Sequence, residues 1–284
     1  MRRKSKVGIT VAGLILVLAA ALAMAGCGGS GLSGTLTLSG STTLQPIAQE
    51  AADQFMKDNT SANVTVQGGG SSVGITQVGE GSVNIGDSSR ELKDEEKNLG
   101  LVDHKVAFDV IVVIANPGVS VSNLTTDQVK GIFTGSITNW SQVGGTDGTI
   151  TVVTRDSASG TREMFDEKAL GSTKDKPVSL VSGAIEANSN GVMRQKVAST
   201  KGAIGYISYG YLDKSVKPLQ LNGVTGNLQT GLDKTYPLSR YLHMFTKGEA
   251  TGLTKAYIDF VLSPDFQNTT VSKEYIPMTK VNQQ

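Results

Sequence analysis

Segments with strand and helix signatures alternate along this 284-residue chain, which predicts an α/β fold built on largely parallel sheets. Two observations carry that prediction. Short runs such as ITVVT at 150–154 and the glycine-bounded AIGYI at 203–207 read as strands, while Leu44, Ile47, Ala48, Ala51, Ala52 and Phe55 recur at helical spacing. A third observation points to function. The joints after four of the strands, at 39–43, 68–72, 86–90 and 155–161, are built largely of Ser, Thr and Gly. In open α/β sheets, ligands sit beyond the carboxyl ends of the strands, where these joints fall.

Taken in order, Thr35, Leu36, Thr37 and Leu38 alternate as a first strand. Its helix follows Thr43, with Pro46 in the first turn, where a missing N–H costs little. Residues 63–67 form the second strand, and the run Gly68-Gly69-Gly70-Ser71-Ser72 opens a weaker helix over 73–78. That run lacks the Gly-Lys-Ser/Thr of a phosphate-binding P-loop and is not a dinucleotide fingerprint. A short strand at 83–85 leads into Gly86-Asp87-Ser88-Ser89-Arg90, and the charged run 91–97 reads as a solvated helix or turn. Residues 106–115 form a long apolar strand ending at the turn signal Asn116-Pro117-Gly118. Thr125 or Thr126 caps a helix through Val129, Ile132 and Phe133, and Trp140 reads as a packing residue.

The strand at 150–154 runs through Arg155 and a small-residue loop into a helix with apolar Met164, Phe165 and Ala169. Glu163 and Asp166 occupy its early turns, where acidic residues suit the positive end of the helix dipole. Residues 174–177 mark a surface turn, 188–200 a helix and 203–207 a buried strand, with Tyr206, Tyr209 and Tyr211 structural. Residues 223–230 read as a loop, 237–245 as a second long strand, 253–262 as a helix, and the remainder as an irregular tail.

The N-terminus is of another kind. Four cations within 1–6 precede an almost wholly apolar stretch at 7–24 and then Ala25-Gly26-Cys27, the pattern of an export signal. An uncleaved anchor is the rival reading, since the stretch nearly suffices to span a bilayer. Met24-Ala25-Gly26-Cys27 resembles a lipobox, and Cys27 is the chain's one cysteine, so no internal disulfide is possible. The expectation is a signal at 1–26, a lipidated Cys27 and a flexible tether to residue 34. The protein would then be exported and lipid-anchored at the outer face of the cell membrane. Removing 1–26 takes four of the 26 cations against 25 acidic residues, leaving 258 residues with net charge −3. That balance argues against nucleic acid, which needs a basic face. Two histidines and no further thiol leave almost nothing for a zinc site, and no cofactor or metal is expected.

Ser157, Ser159, Gly160 and Thr161 sit over a helix N-terminus, whose free N–H groups favour negative charge, and Arg155 adds a planar fork of donors. Taken alone this is an ordinary cap beside an arginine. Repeated in three other joints, it becomes a set of hydroxyls, N–H groups and guanidinium groups suited to a tetrahedral oxyanion stripped of water. A hydrolase is the competing class. Ser159-Gly160 lacks the Gly-x-Ser-x-Gly of a nucleophile elbow, His104 reads as exposed and His243 as structural, so no serine has an evident base.

In order and spacing the chain resembles the phosphate-binding lipoproteins of phosphate ABC importers, the PstS family. The matching residues are Gly40-Ser41-Thr42-Thr43 followed by Pro46, Gly68-Gly69-Gly70-Ser71-Ser72-Val73-Gly74, and Val83-Asn84-Ile85-Gly86 through Ser89-Arg90-Glu91-Leu92. Further along come Ile132-Phe133 with Ile137-Thr138-Asn139-Trp140, Arg155 with Ser157-Ala158-Ser159-Gly160-Thr161-Arg162, and Gly202-Ala203-Ile204-Gly205-Tyr206. The resemblance implies a type II periplasmic-binding-protein fold of two α/β lobes, 35–112 plus 243–284 and 113–242, joined by crossing strands near 108–116 and 238–246. It implies a monomeric, non-enzymatic receptor for inorganic phosphate that serves ABC permease subunits. Phosphate would be held by Thr42, Thr43, Ser71, Ser89, Arg155, Ser159, Gly160 and Thr161, with Ser72, Asp87, Arg90, Asp156 and Glu163 behind them. One branch of the family has aspartates where Ser89 and Ser157 stand. Here the ligand's proton would fall to a hydroxyl or to Asp87, and Arg155 would pair with Asp156 or Glu163. Sulfate is the alternative ligand, and a phosphate-ester hydrolase on the same lobes the alternative activity.

Overall fold

The computed structural model describes residues 31–283; the expected export signal, Cys27 and most of the expected tether lie outside them. Strand β1 (Ser33–Gly40) buries Leu36 and Leu38 and begins two residues inside the stretch read as tether. Helix α1 (Gln45–Asp58) buries Ile47, Ala48, Ala51, Ala52 and Phe55, the stripe set by their spacing, with Pro46 in its first turn. Then come β2 (Ser61–Gln67), α2 (Ser71–Glu80) and β3 (Ile85–Ser88). β1 pairs in parallel with both β2 and β3, so the joints after all three strands leave from one end of the sheet.

β4 (Leu101–Ala115) is followed by β5 (Asn123–Leu124), α3 (Thr126–Thr134), β6 (Thr151–Arg155), α4 (Gly160–Lys168), β7 (Ile185–Ala187), α5 (Asn190–Ser199) and β8 (Ala203–Ser208). The chain closes with β9 (Lys217–Pro218), β10 (Gln220–Leu221), α6 (Leu228–Leu232), β11 (Ser239–Lys247), α7 (Gly252–Val261), α8 (Pro264–Thr269) and α9 (Met278–Val281). The strand order is β2-β1-β3-β11-β4-β8-β6-β7, with β9 also on β4. β4 joins the two ends because it changes partner. Its residues Leu101 to Val110 pair antiparallel with β11, and Ile111 to Ala115 pair antiparallel with β8. β8 is parallel to β6, and β6 to β7, so the loop after β6 leaves from the strand end that parallel pairing dictates. Two α/β lobes result, a periplasmic-binding-protein architecture.

Each lobe has its own apolar packing. Around β4, β6 and β8, the buried Phe165 ring stacks on Tyr206 with centroids 4.0 Å apart and planes 8° from parallel. In the other lobe, Phe55 of α1 meets Tyr257 and Phe260 of α7 edge-on at 5.6 and 5.7 Å, and Tyr257 Oη donates to Ala48 O. Trp140 is buried, donating Nε1–H to Gly202 O, as a packing residue should.

Some expectations shift. The third strand lies at Ile85–Ser88 and not at 83–85, because its parallel register with β1 runs from Leu38↔Ile85 to Gly40↔Asp87. The loop expected at 223–230 contains the start of α6, which Asn227 caps by accepting from Thr230 N. The tail is not irregular. Ser263 caps α8 with Pro264 in its first turn, and Gln267 ties it down by donating to Val106 O and Val261 O while accepting from Met278 N. His104 is half-buried against Thr246 Oγ1, not exposed, because it lies within β4. His243 is buried, with Nδ1 2.8 Å from Asp103 Oδ1 and its ring stacked on Phe245. No helix among the described residues is long and apolar enough to cross a membrane.

Candidate functional site

Three helices start where the strand ends meet. The N-caps of α1 and α2 are Leu44 and Gly70, which offer no side-chain oxygen, so the first-turn N–H groups there lack a capping side chain. α4 is capped by Ser159, whose Oγ accepts from Arg162 N at 3.2 Å. The N–H groups of Gly160 and Thr161 stand at the first turn, with no carbonyl four residues back inside the helix. The joint of α2 meets that of α4 directly: Ser72 N donates to Ala158 O at 3.1 Å. Gly70, with φ of +98°, permits this approach, because a Cβ there would lie 2.7 Å from Ala158 O.

Between these helix starts the side chains form a buried cage. Thr43 Oγ1 lies 3.1 Å from Thr161 Oγ1, and Ser71 Oγ lies 3.2 Å from Ser89 Oγ while accepting from Ser89 N at 3.0 Å. Gly160 lies against the serine pair, since a Cβ on it would collide with Ser71 Oγ and crowd Ser89 Oγ. Arg155 donates through Nη2 to Thr42 Oγ1 at 3.3 Å and through Nε to Ala187 O at 3.1 Å. All eight residues expected at the site, Thr42, Thr43, Ser71, Ser89, Arg155, Ser159, Gly160 and Thr161, are buried and adjoin one another here.

Arg155 is the most informative of them. Its side chain is 1% exposed, it makes no ion pair among the described residues, and its Nη1 has no hydrogen-bond partner. The expected pairing with Asp156 or Glu163 does not occur. Asp156 Oδ1 turns to its own loop and accepts from Ala158 N, while Glu163 Oε2 lies 3.1 Å from Arg90 Nε and 3.0 Å from Lys93 Nζ. Burial pushes the Arg155 guanidinium below its ordinary value, with Tyr206 and Asp156 acting the other way. A buried charge without a counter-charge is costly, so this is where an anion gains most.

The other expected supporting residues divide. Ser72 and Arg90 bond each other at 3.1 Å, and Arg90 forks onto Glu96 at 2.6 and 2.7 Å, so this group ties the start of α2 to the segment after β3. Asp87 belongs to neither group. Both its carboxylate oxygens are buried without a hydrogen-bond partner among the described residues, neither reaches a cage hydroxyl, and burial holds its carboxyl well above the ordinary range.

Four residues of the site escaped the sequence reading. Arg240 on β11 pairs with Asp109, its register partner on β4, through Nε at 3.1 Å and Nη2 at 2.9 Å to the same Oδ2. Its Nη2 also reaches Thr161 Oγ1 at 3.0 Å and Thr43 Oγ1 at 3.2 Å, and its Nη1 holds Ser89 O at 3.0 Å. Asn190 Nδ2 donates to Thr43 Oγ1 and Thr42 Oγ1 at 3.0 and 3.3 Å, and Ser208 Oγ donates to Asp109 Oδ1 at 2.6 Å. Burial raises the Asp109 carboxyl, against the pull of Arg240 and Ser208. The signal was present: a lone Asp in the apolar run of 106–115, and a lone Arg in the second long strand.

A cage of hydroxyls and N–H groups, with one uncompensated guanidinium, suits a small oxyanion. A family model described as a PBP superfamily domain matches residues 26–265. The phosphate-binding protein PstS of Bacillus subtilis is 41% identical over 251 residues, covering 87% of this chain and 82% of that relative. This chain belongs to the PstS family. The PstS of Borreliella burgdorferi is 30% identical over 249 residues, or 85% of this chain and 89% of that one. Among solved structures, a Clostridium perfringens protein described as a phosphate ABC transporter substrate-binding protein, with bound phosphate, superposes with a TM-score of 0.82 at 35% identity. That match covers 86% of this PstS-family chain and 100% of the other. An ABC-type phosphate transport receptor from Vibrio cholerae gives a TM-score of 0.71 at 36% identity, covering 85% and 99%.

Proposed function

We propose that this chain is an exported receptor that captures inorganic phosphate between its two lobes and delivers it to an ABC permease. The observation that carries the reading is the buried guanidinium of Arg155, which has no ion pair among the described residues and reaches Thr42 Oγ1 from the other end of the sheet. Phosphate is held by Thr42, Thr43, Ser71 and Ser89 of one lobe and by Arg155, Ser159, Gly160 and Thr161 of the other. The lobes span 35–112 plus 243–284 and 113–242, and they close by a hinge at β4 and β11. Cys27 carries the lipid that holds the mature monomer at the outer face of the membrane. The protein turns nothing over, and among the described residues neither histidine bonds a cage hydroxyl that would need a base.

Micromolar capture requires about −8 kcal/mol, which several charge-assisted hydrogen bonds in a dry site supply. The test is isothermal titration of residues 27–284 with phosphate, repeated with sulfate as competitor between pH 5.5 and 8. One-to-one binding that equimolar sulfate does not displace is expected. Equal affinity for sulfate, or release of product from a chromogenic phosphomonoester, overturns the reading.

A further inference from the structure

A hydroxyl has one proton and two lone pairs, so the donors already aimed at it decide what it offers a ligand. Thr43 Oγ1 receives an N–H from Asn190 and shares with Thr161 Oγ1 the Arg240 Nη2 proton that Asp109 does not take, which together engage its acceptor capacity. Its contact with Thr161 Oγ1 therefore runs from Thr43 to Thr161. Thr161 Oγ1 then receives two donors, Arg240 Nη2 and Thr43, and its own proton must go elsewhere. Thr42 Oγ1 is in the same position, with donors from Arg155 Nη2 and Asn190 Nδ2. The amide of Asn190 cannot be reversed, because its Oδ1 accepts from Ser208 N at 3.1 Å. Arg240 is oriented by Asp109, which also cancels its charge.

Ser89 differs. Among the described residues its Oγ touches Ser71 Oγ and no N–H donor, and Ser71 Oγ already accepts from Ser89 N. Whichever of the two hydroxyls donates, a lone pair remains on Ser89 Oγ.

We propose that Arg240 and Asn190 are positioning residues that fix the threonine hydroxyls of the cage as donors and leave the acceptor role to its serine hydroxyls, Ser89 Oγ among them. The cage then offers many donors and few acceptors, which fits the less protonated form of an oxyanion, and Arg240 works through hydroxyl direction, not as a bare cation. This rests on the reading of the cage as a phosphate site.

The test uses the double variant Arg240→Gln/Asp109→Asn, which leaves the net charge unchanged, and the single variant Asn190→Ala, which carries the test if the double variant does not fold. Phosphate affinity is titrated at pH 8, where the ion has one proton, and at pH 5.5, where it has two. With threonine lone pairs released, the doubly protonated ion gains acceptors. Affinity is expected to fall tenfold or more at pH 8 and less than threefold at pH 5.5. An equal loss at both pH values, or none, overturns the inference and leaves the receptor reading intact. Wild-type protein that binds no phosphate at either pH overturns both.

Discussion

Arg155 carries a charge that nothing among the described residues balances, at 1% exposure. Replacing it with Ala is expected to cost roughly 3 kcal/mol of phosphate affinity, about a hundredfold or more by titration, the scale for removing one partner of a buried charge pair. Unchanged affinity would remove Arg155 from the site. Asp87 supplies a different kind of prediction. Its folded pKa lies above its unfolded one, so the folded state holds the proton more tightly. Its burden on stability is absent below the unfolded value of ~3.9 and grows as pH rises toward the folded value. Asp87→Ala is expected to raise the melting temperature relative to wild type more at pH 8 than at pH 4. Equal shifts at both would show that the buried carboxyl does not set the pH dependence. At this scale the sequence was legible where a residue type announces itself. Ser71, Ser89, Ser159 and Thr161 stand in small-residue joints, whereas Arg240, Asp109, Asn190 and Ser208 are distributed over strands and a helix, and only register brings them together.

Elements were legible wherever one periodicity dominated. The stripe of α1 and the buried strand β8 follow directly from apolar spacing. β3 was displaced because short strands take their limits from a neighbour's register, here that of β1. α8 was missed although Ser263-Pro264-Asp265 is a helix-start signal. The joint between β2 and α2 carries a prediction of its own. Gly70→Ala would press a Cβ against Ala158 O, separating the start of α2 from the loop before α4. A tenfold or greater loss of phosphate affinity is expected, about 1.4 kcal/mol. Gly81→Ala is the control, with a comparable φ of +75° and nothing within 4 Å of the added Cβ. It should lower the melting temperature and leave the titration unchanged. Similar affinity losses in both would mean that strain, not the contact with Ala158, is responsible.

At the scale of the whole molecule, residues 27–284 carry a net charge of −3, which does not gather an anion from a distance. Selection instead falls to a dry cage assembled from two lobes, with β4 shared between them. The alternation of strands and helices made the α/β class legible. The place where β4 exchanges β11 for β8 was not, because Val110 and Ile111 on either side of it belong to one continuous buried run, and Asp109 beside it marks an ion pair and not a change of partner. The most direct measurement is diffraction from crystals of the mature chain grown with phosphate. The account predicts one tetrahedral ion within hydrogen-bonding distance of Arg155 Nη1, Thr42 Oγ1, Thr161 Oγ1 and Ser89 Oγ. An ion bound elsewhere, or these groups turned away from one another with none between them, would contradict it.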